Sequence, residues 1–305
     1  MPLHRSTVLV LGAGASVPYN YPTGWELKNR LTTPSEQLKG MLLRLGHDAA
    51  AIEQLSRLLR RFGADSIDEF LGRYPEHSVL AKHAIAYEII QCENIDTQLA
   101  VCRDNWYTFL FRQVLDDDSM LKGGLLKIIT FNYDLSLEAH IHESLKVRHR
   151  LDDKQAADRM KALGLIHIYG DVGPIHAFHG TGRNFGRPVD GALKKEEIEV
   201  AASRITSITD PLSGDLINGA LNTMRVAEDI VFVGFGWGSE NVRRLNLREV
   251  AKNAQRIAAT TVGIVDVDSI RSQLPVGPEF SHFITAACPA PTADMVKRLF
   301  ESLKR

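Results

Sequence analysis

The sequence predicts the α/β class, a parallel sheet with a helical insertion after its first strand. Three observations carry that reading. Short runs such as Thr7–Leu11 (TVLVL) and Leu125–Phe131 (LLKIITF) are apolar almost throughout, as strands covered on both faces are. Segments of helical period alternate with these runs, which demands crossover connections between parallel strands. From about residue 36 to residue 120 only helical spacing is found, so a helical subdomain is inserted within a single domain spanning 1–305.

Each element follows in order. The first strand, Thr7–Leu11, ends in Gly12-Ala13-Gly14-Ala15-Ser16, and Thr23 is placed to cap a helix beginning near Trp25-Glu26-Leu27. In the insertion, Leu38, Met41, Leu42 and Leu45 recur at helical spacing, as do Ile52, Leu55, Leu58 and Leu59. Ser66 with Glu69 forms a predicted capping box, and His83–Cys92 and Asn105–Leu115 complete the helices. The second strand leads through Asn132-Tyr133-Asp134 into a helix at Leu135–Leu145. Leu163–Tyr169 is the third predicted strand, and the Gly, His and Pro residues from Gly173 to Pro188 predict a loop. Helices at Lys194–Ile205 and Leu212–Ala227 precede a fourth strand, Asp229–Val233. A helix from about Glu240 leads to a fifth strand at Thr260–Val265, then a short run at Phe283–Ile284 and a last helix at Ala293–Leu303.

Composition excludes several classes. Lys and Arg number 36 against 37 Asp and Glu, a balance that argues against direct nucleic-acid binding through bulk charge. The three cysteines, Cys92, Cys102 and Cys288, form no Cys-x-x-Cys pair, so neither a disulfide framework nor a cysteine-held zinc is expected. No metal is expected elsewhere, because His176 and His179 lack an acid or thiol at ligand spacing. No stretch approaches the length of a membrane span, and the run Val8–Leu11 is too short for a secretory leader, so a cytoplasmic setting is expected.

Every polar or glycine-rich motif falls at the C-terminal end of a predicted strand, the edge where open α/β sheets bind ligands. Gly12 to Ser16 can bring backbone N–H groups against a phosphate, and a side chain at Gly14 is expected to block that approach. Asn132 and Asp134 can hold a sugar and orient a water, and His167 supplies an imidazole suited to proton transfer. The run Gly234-Phe235-Gly236, with Asn241 beyond it, repeats the strand–glycine–helix arrangement as a second phosphate or ribose contact. Asp266 and Asp268 close the fifth predicted strand, where an acid can accept from ribose hydroxyls. Each motif also has a plain structural reading, as a tight turn, a helix cap or a buried core histidine.

Taken in order, the motifs resemble the sirtuin-like superfamily, and its bacterial branch of anti-phage defence NADases more closely than the protein deacylases. The residues that carry the resemblance are Val10-Leu11-Gly12-Ala13-Gly14-Ala15-Ser16, Pro22-Thr23-Gly24-Trp25-Glu26-Leu27, Ser66-Ile67-Asp68-Glu69-Phe70-Leu71, Thr130-Phe131-Asn132-Tyr133-Asp134, His167-Ile168-Tyr169-Gly170 and Val233-Gly234-Phe235-Gly236. The resemblance implies a Rossmann-like domain that cleaves NAD to nicotinamide and ADP-ribose. It implies that Asn132 orients the water or ribose and that His167 is the base. In many relatives the catalytic histidine directly precedes a glycine. Tyr169 holds that place here, so His179, before Gly180, is the reserve. A homo-oligomer and a partner such as a HerA-type ATPase or an Argonaute-like protein are further implied. The rival readings are a non-catalytic sensor of NAD or ADP-ribose and a structural subunit of a defence complex.

Overall fold

The structure, a computed structural model, describes residues 5–63, 67–96, 105–115, 124–186, 193–206, 211–261, 267–275, 279–283 and 290–303. Six strands, β1 (Thr7–Leu11), β2 (Leu126–Thr130), β3 (Ile166–His167), β4 (Asp229–Val233), β5 (Arg256–Thr260) and β6 (Glu279–Phe283), form one sheet in the order β3-β2-β1-β4-β5-β6. All five pairings are parallel. This is a Rossmann-like α/β fold, and its topological switch point lies between β1 and β4, where chain connections leave in opposite directions. Both strands are buried along their whole length, which is why their sequences are apolar without alternation.

Helices α1 (Gly24–Thr32), α2 (Glu36–Arg44), α3 (Ala49–Phe62), α4 (Ile67–Arg73), α5 (Ser78–Ile90) and α6 (Trp106–Leu110, running on as a π turn, Phe111–Leu115) lie between β1 and β2. Thr23 caps α1 in a reciprocal box with Glu26, as its spacing predicts. The predicted box at Ser66 lies outside the described residues. Helix α5 is apolar nearly all round and buried, and α1 and α2 pack on it. Helices α7 (Ser136–His149) and α8 (Asp153–Met160) follow β2, and a short α9 (His176–His179) interrupts the predicted loop after β3. Helices α10 (Lys195–Arg204), α11 (Pro211–Arg225), α12 (Ser239–Leu245), α13 (Leu247–Val250), α14 (Val267–Gln273) and α15 (Ala293–Ser302) complete the chain.

Two predicted strands are corrected. The third is only Ile166–His167, because the backbone turns at Ile168-Tyr169. The fifth described strand is Arg256–Thr260, which meets the predicted run Thr260–Val265 only at Thr260, while residues 262–265 of that run lie outside the described residues. Ala258 and Ala259 give it weak strand propensity, yet Arg256 pairs in register with Asp229 and its guanidinium grips that buried carboxylate at 3.0 and 2.9 Å. Among the described residues no helix is long and apolar enough to cross a membrane.

Candidate functional site

The C-terminal ends of β1, β2, β4 and β5 open onto one cavity of about 460 Å³. That volume is within the usual range for a small-molecule site, and its place is the switch-point crevice. The turns that follow β1 and β4 meet backbone to backbone. Gly12 N–H donates to Val233 O at 3.1 Å, and Gly14 N–H donates to Gly234 O at 3.0 Å. Gly234 has a φ of 60°, and a Cβ there would stand 2.0 Å from Ala15 N. A Cβ on Gly14 would come within 2.8 Å of Gly234 O. The glycine at 14 is therefore demanded by the packing of one turn on the other, as the plain structural reading of the motif as a tight turn expects. These bonds, with Ala15 N–H donating to Gly12 O at 2.9 Å, use the amides of Gly12, Gly14 and Ala15 and leave that of Ala13 out of the turn's own bonding.

Helix α6 clamps the same turn from behind. Trp106 Nε1 donates to Ala15 O at 2.9 Å, and Tyr19 stacks on Tyr107 with ring centroids 3.8 Å apart. The ring stacking is paired with a hydrogen bond from Tyr107 N–H to Tyr19 Oη at 2.9 Å.

Asn132 stands at the end of β2, between Phe131 and Tyr133, and is 8% exposed. Its backbone N–H donates to Thr130 Oγ1 at 3.0 Å, and its Nδ2 donates to Ser16 Oγ at 3.0 Å. Its Oδ1 is buried with no hydrogen-bond partner. An unpaired buried acceptor costs roughly 1–3 kcal/mol, so such atoms in native proteins call for an explanation. Asn132 lines the cavity, and a bound donor there would relieve it. Behind Asn132 a buried polar chain continues from Ser16 to Tyr107 at 3.4 Å, from Tyr107 to Ser136 at 2.6 Å, and on to the carboxylate of Asp134. Burial pushes the Asp134 carboxyl above its ordinary range, while hydrogen bonds from Ser136 and Ser16 pull it back.

His167 is placed otherwise than predicted. It is 9% exposed and does not line the cavity. Its Nδ1 donates to Asn132 O at 2.8 Å, and its Nε2 lies 2.6 Å from Glu138 Oε1 at the first turn of α7. A carbonyl can only accept, so Nδ1 carries a proton. Burial alone lowers this imidazole, but the Glu138 carboxylate, the Asp171 charge and the Asn132 carbonyl outweigh it and raise the pKa to about 9. The ring is an imidazolium at neutral pH with both N–H groups committed, and it has no lone pair to act as a base. His179, the reserve, is exposed on α9 with Nδ1 accepting from Ile175 N–H at 3.1 Å, also away from the cavity.

Of the predicted binding residues, Gly12, Ala13, Gly14, Asp134, Gly234, Phe235, Gly236 and Asn241 line the cavity with Asn132. Ala15 and Ser16 are buried behind it. Asp266 lies outside the described residues, and Asp268 is exposed in the first turn of α14, since β5 ends at Thr260. Thr260 takes the lining position at that strand end, and its Oγ1 accepts from Gly234 N–H at 2.8 Å.

Sequence reasoning missed the aromatic wall. Tyr169 lines the cavity, packs edge-on to Phe131, donates from Oη to Asn241 Oδ1 at 2.7 Å and carries Arg244 over its ring at 5.2 Å. Its signal was present, since Tyr169 occupies the place before glycine. Glu138 had none, because its partner His167 lies 29 residues on, beyond the rest of α7 and all of α8. His142, Glu143 and Asp153 also come together at metal-ligand spacing where α7 meets α8, but Lys146 Nζ already bridges the two carboxylates at 3.0 and 2.8 Å.

No protein-family model matches the chain, and no curated protein matches it.

Proposed function

We propose that the chain is an NAD glycohydrolase whose substrate lies across the switch-point cavity with its nicotinamide ribose against Asn132. The observation that carries the reading is the buried, unpartnered Oδ1 of Asn132 at the wall of a cavity built from four strand ends. Such an atom can accept from a ribose hydroxyl or from the attacking water. Breaking the glycosidic bond sends its electron pair to the pyridinium, which leaves as neutral nicotinamide and needs no acid. The ribosyl cation takes up water, and the proton is lost after the bond to oxygen forms. Chemistry of this order asks for a fixed dipole and exclusion of bulk water rather than a strong base. His167 then serves as a positioning residue, holding the Asn132 carbonyl while Glu138 holds the imidazolium. The resemblance adds the setting, an anti-phage effector that works as an oligomer or with a partner protein.

A second reading, binding of NAD or ADP-ribose without turnover, is favoured by one observation. Tyr169 and not a histidine faces the cavity at the β3 end. Nicotinamide release and calorimetric binding separate the two. The hydrolase reading expects release by the wild type, and an Asn132→Ala variant that binds but turns over ~100-fold more slowly or worse. Binding with no release by the wild type supports the second reading. Failure to bind NAD or ADP-ribose overturns both.

A further inference from the structure

Helices α7 and α8 meet over a cluster that the cavity does not use. One ring nitrogen of His142, one carboxylate oxygen of Glu143 and one of Asp153 lie within 4.8 Å of one another, the one such group of three among the described residues. His142 is fully buried, with Phe178 of α9 packed on its ring at 5.0 Å between centroids. Its Nε2 donates to the Asp153 backbone carbonyl at 3.1 Å. A carbonyl only accepts, so Nε2 holds a ring proton. Its Nδ1 has no hydrogen-bond partner and stands 3.5 Å from Glu143 Oε1. A buried nitrogen in that state calls for an explanation. Lys146 brings a cation to the two carboxylates, at 3.0 Å from Glu143 and 2.8 Å from Asp153, but leaves Nδ1 without a partner.

We propose that His142 Nδ1, Glu143 and Asp153 form a site for a zinc-type divalent cation, which takes the place of the Lys146 ammonium. A histidine that gives its other ring N–H to a backbone carbonyl has the tautomer and orientation of a metal ligand. One imidazole with two carboxylates is a donor set that zinc accepts, with a position left for water, and the nitrogen disfavours Mg²⁺ and Ca²⁺. Ligands sit about 2.0–2.2 Å from zinc, so the three groups draw in by roughly 1 Å on binding. Glu143, Asp153 and Lys146 are each partly exposed, which gives the acids room to turn, the lysine room to leave and the ion a way in. The expectation of no metal came from spacing within one segment, whereas Asp153 follows His142 by 11 residues and lies on the next helix. A bound ion ties α7 to the first turn of α8, one turn along α7 from the Glu138 that holds His167. The site takes no part in the glycohydrolase reading, and neither depends on the other.

The test titrates Zn²⁺, with Mg²⁺ in parallel, into chelator-treated, untagged protein by calorimetry and follows the Tm. The wild type should take up one zinc per chain with a rise in Tm and show no comparable response to magnesium. His142→Ala should weaken zinc at least tenfold. Asp153→Asn should do the same, and it changes only a partly exposed side chain, so it decides the matter if His142→Ala does not fold. Lys146→Met separates the site from a plain lysine clamp. It removes the competing charge and should tighten zinc about tenfold, with the Tm lost in the metal-free variant restored by the ion. A wild type indifferent to zinc overturns the site and leaves a proton on Nδ1, paired with Glu143, as its explanation. Zinc affinity unchanged in Asp153→Asn, no gain in Lys146→Met, or equal binding of magnesium overturns it as well.

Discussion

The two halves of the sheet meet at the cavity with different materials. The β1, β2 and β3 ends bring polar side chains, Asn132 and Asp134 in its wall with Ser16 and His167 behind them, each buried and tied to at least one other polar group. The β4 and β5 ends bring backbone and small groups: Gly234, Gly236 and the hydroxyl of Thr260. One half places charge and dipole, and the other sets shape by letting two turns touch. The difference implies that damage to the β4 side should appear as a folding defect and damage to the β2 side as a change in the pH dependence of stability.

The largest effect expected is at the shape-setting half. Gly234→Ala adds a Cβ 2.0 Å from Ala15 N at a left-handed φ, and steric overlap and backbone strain together should cost about 4 kcal/mol or more. Chemical denaturation should find the variant largely unfolded or insoluble. Gly236→Ala is the internal control, because its Cβ points into open space, and it should stay near wild-type stability. A Gly234→Ala protein with an unshifted midpoint would erase the distinction between the halves.

Next in size is the charge pair behind Asn132. His167 is raised from its ordinary 6.5 to about 9 in the folded state. A raised base stabilises fully below its unfolded pKa and stops doing so as pH climbs through its folded pKa. The wild type should therefore lose about 3 kcal/mol of stability between roughly pH 6.5 and pH 9. Glu138→Gln should remove most of that slope and destabilise the protein most at the acid end of the window. Parallel pH profiles for the two proteins would show the pair to be uncharged.

Smallest is Thr260→Val. It keeps the volume and deletes the acceptor of the Gly234 N–H, so a loss of about 1–2 kcal/mol is expected in the denaturation midpoint. A loss as large as that of Gly234→Ala would mean that the hydroxyl, rather than the glycine contact, holds the two turns together.

The strands at the switch point were readable because burial on both faces writes itself as unbroken apolar runs, and Thr7–Leu11 and Asp229–Val233 match the sequence reading residue for residue. β5 was misplaced because its partners decide it. Ala258 and Ala259 say little by themselves, while the Asp229–Arg256 pair that sets the register joins residues 27 positions apart. The same reason explains His167. Its place at a strand end was legible, but its role depends on Glu138 and on the carbonyl of Asn132, and neither contact leaves a periodic trace in the chain. For the glycines the sequence offered two readings, a phosphate cradle and a tight turn, and the backbone contacts of Gly14 and Gly234 supply the physical reason for the second.

That contact has a consequence for motion. A glycine-rich turn is ordinarily among the first parts of a protein to open, since it has few contacts and a large entropy to regain. Here the amide of Gly14 cannot let go without parting the ends of two central strands, and Trp106 grips the carbonyl next to it. Opening of the turn and opening of the sheet become one event. The floor of the cavity then keeps the lifetime of the core, and local breathing is left to the rim.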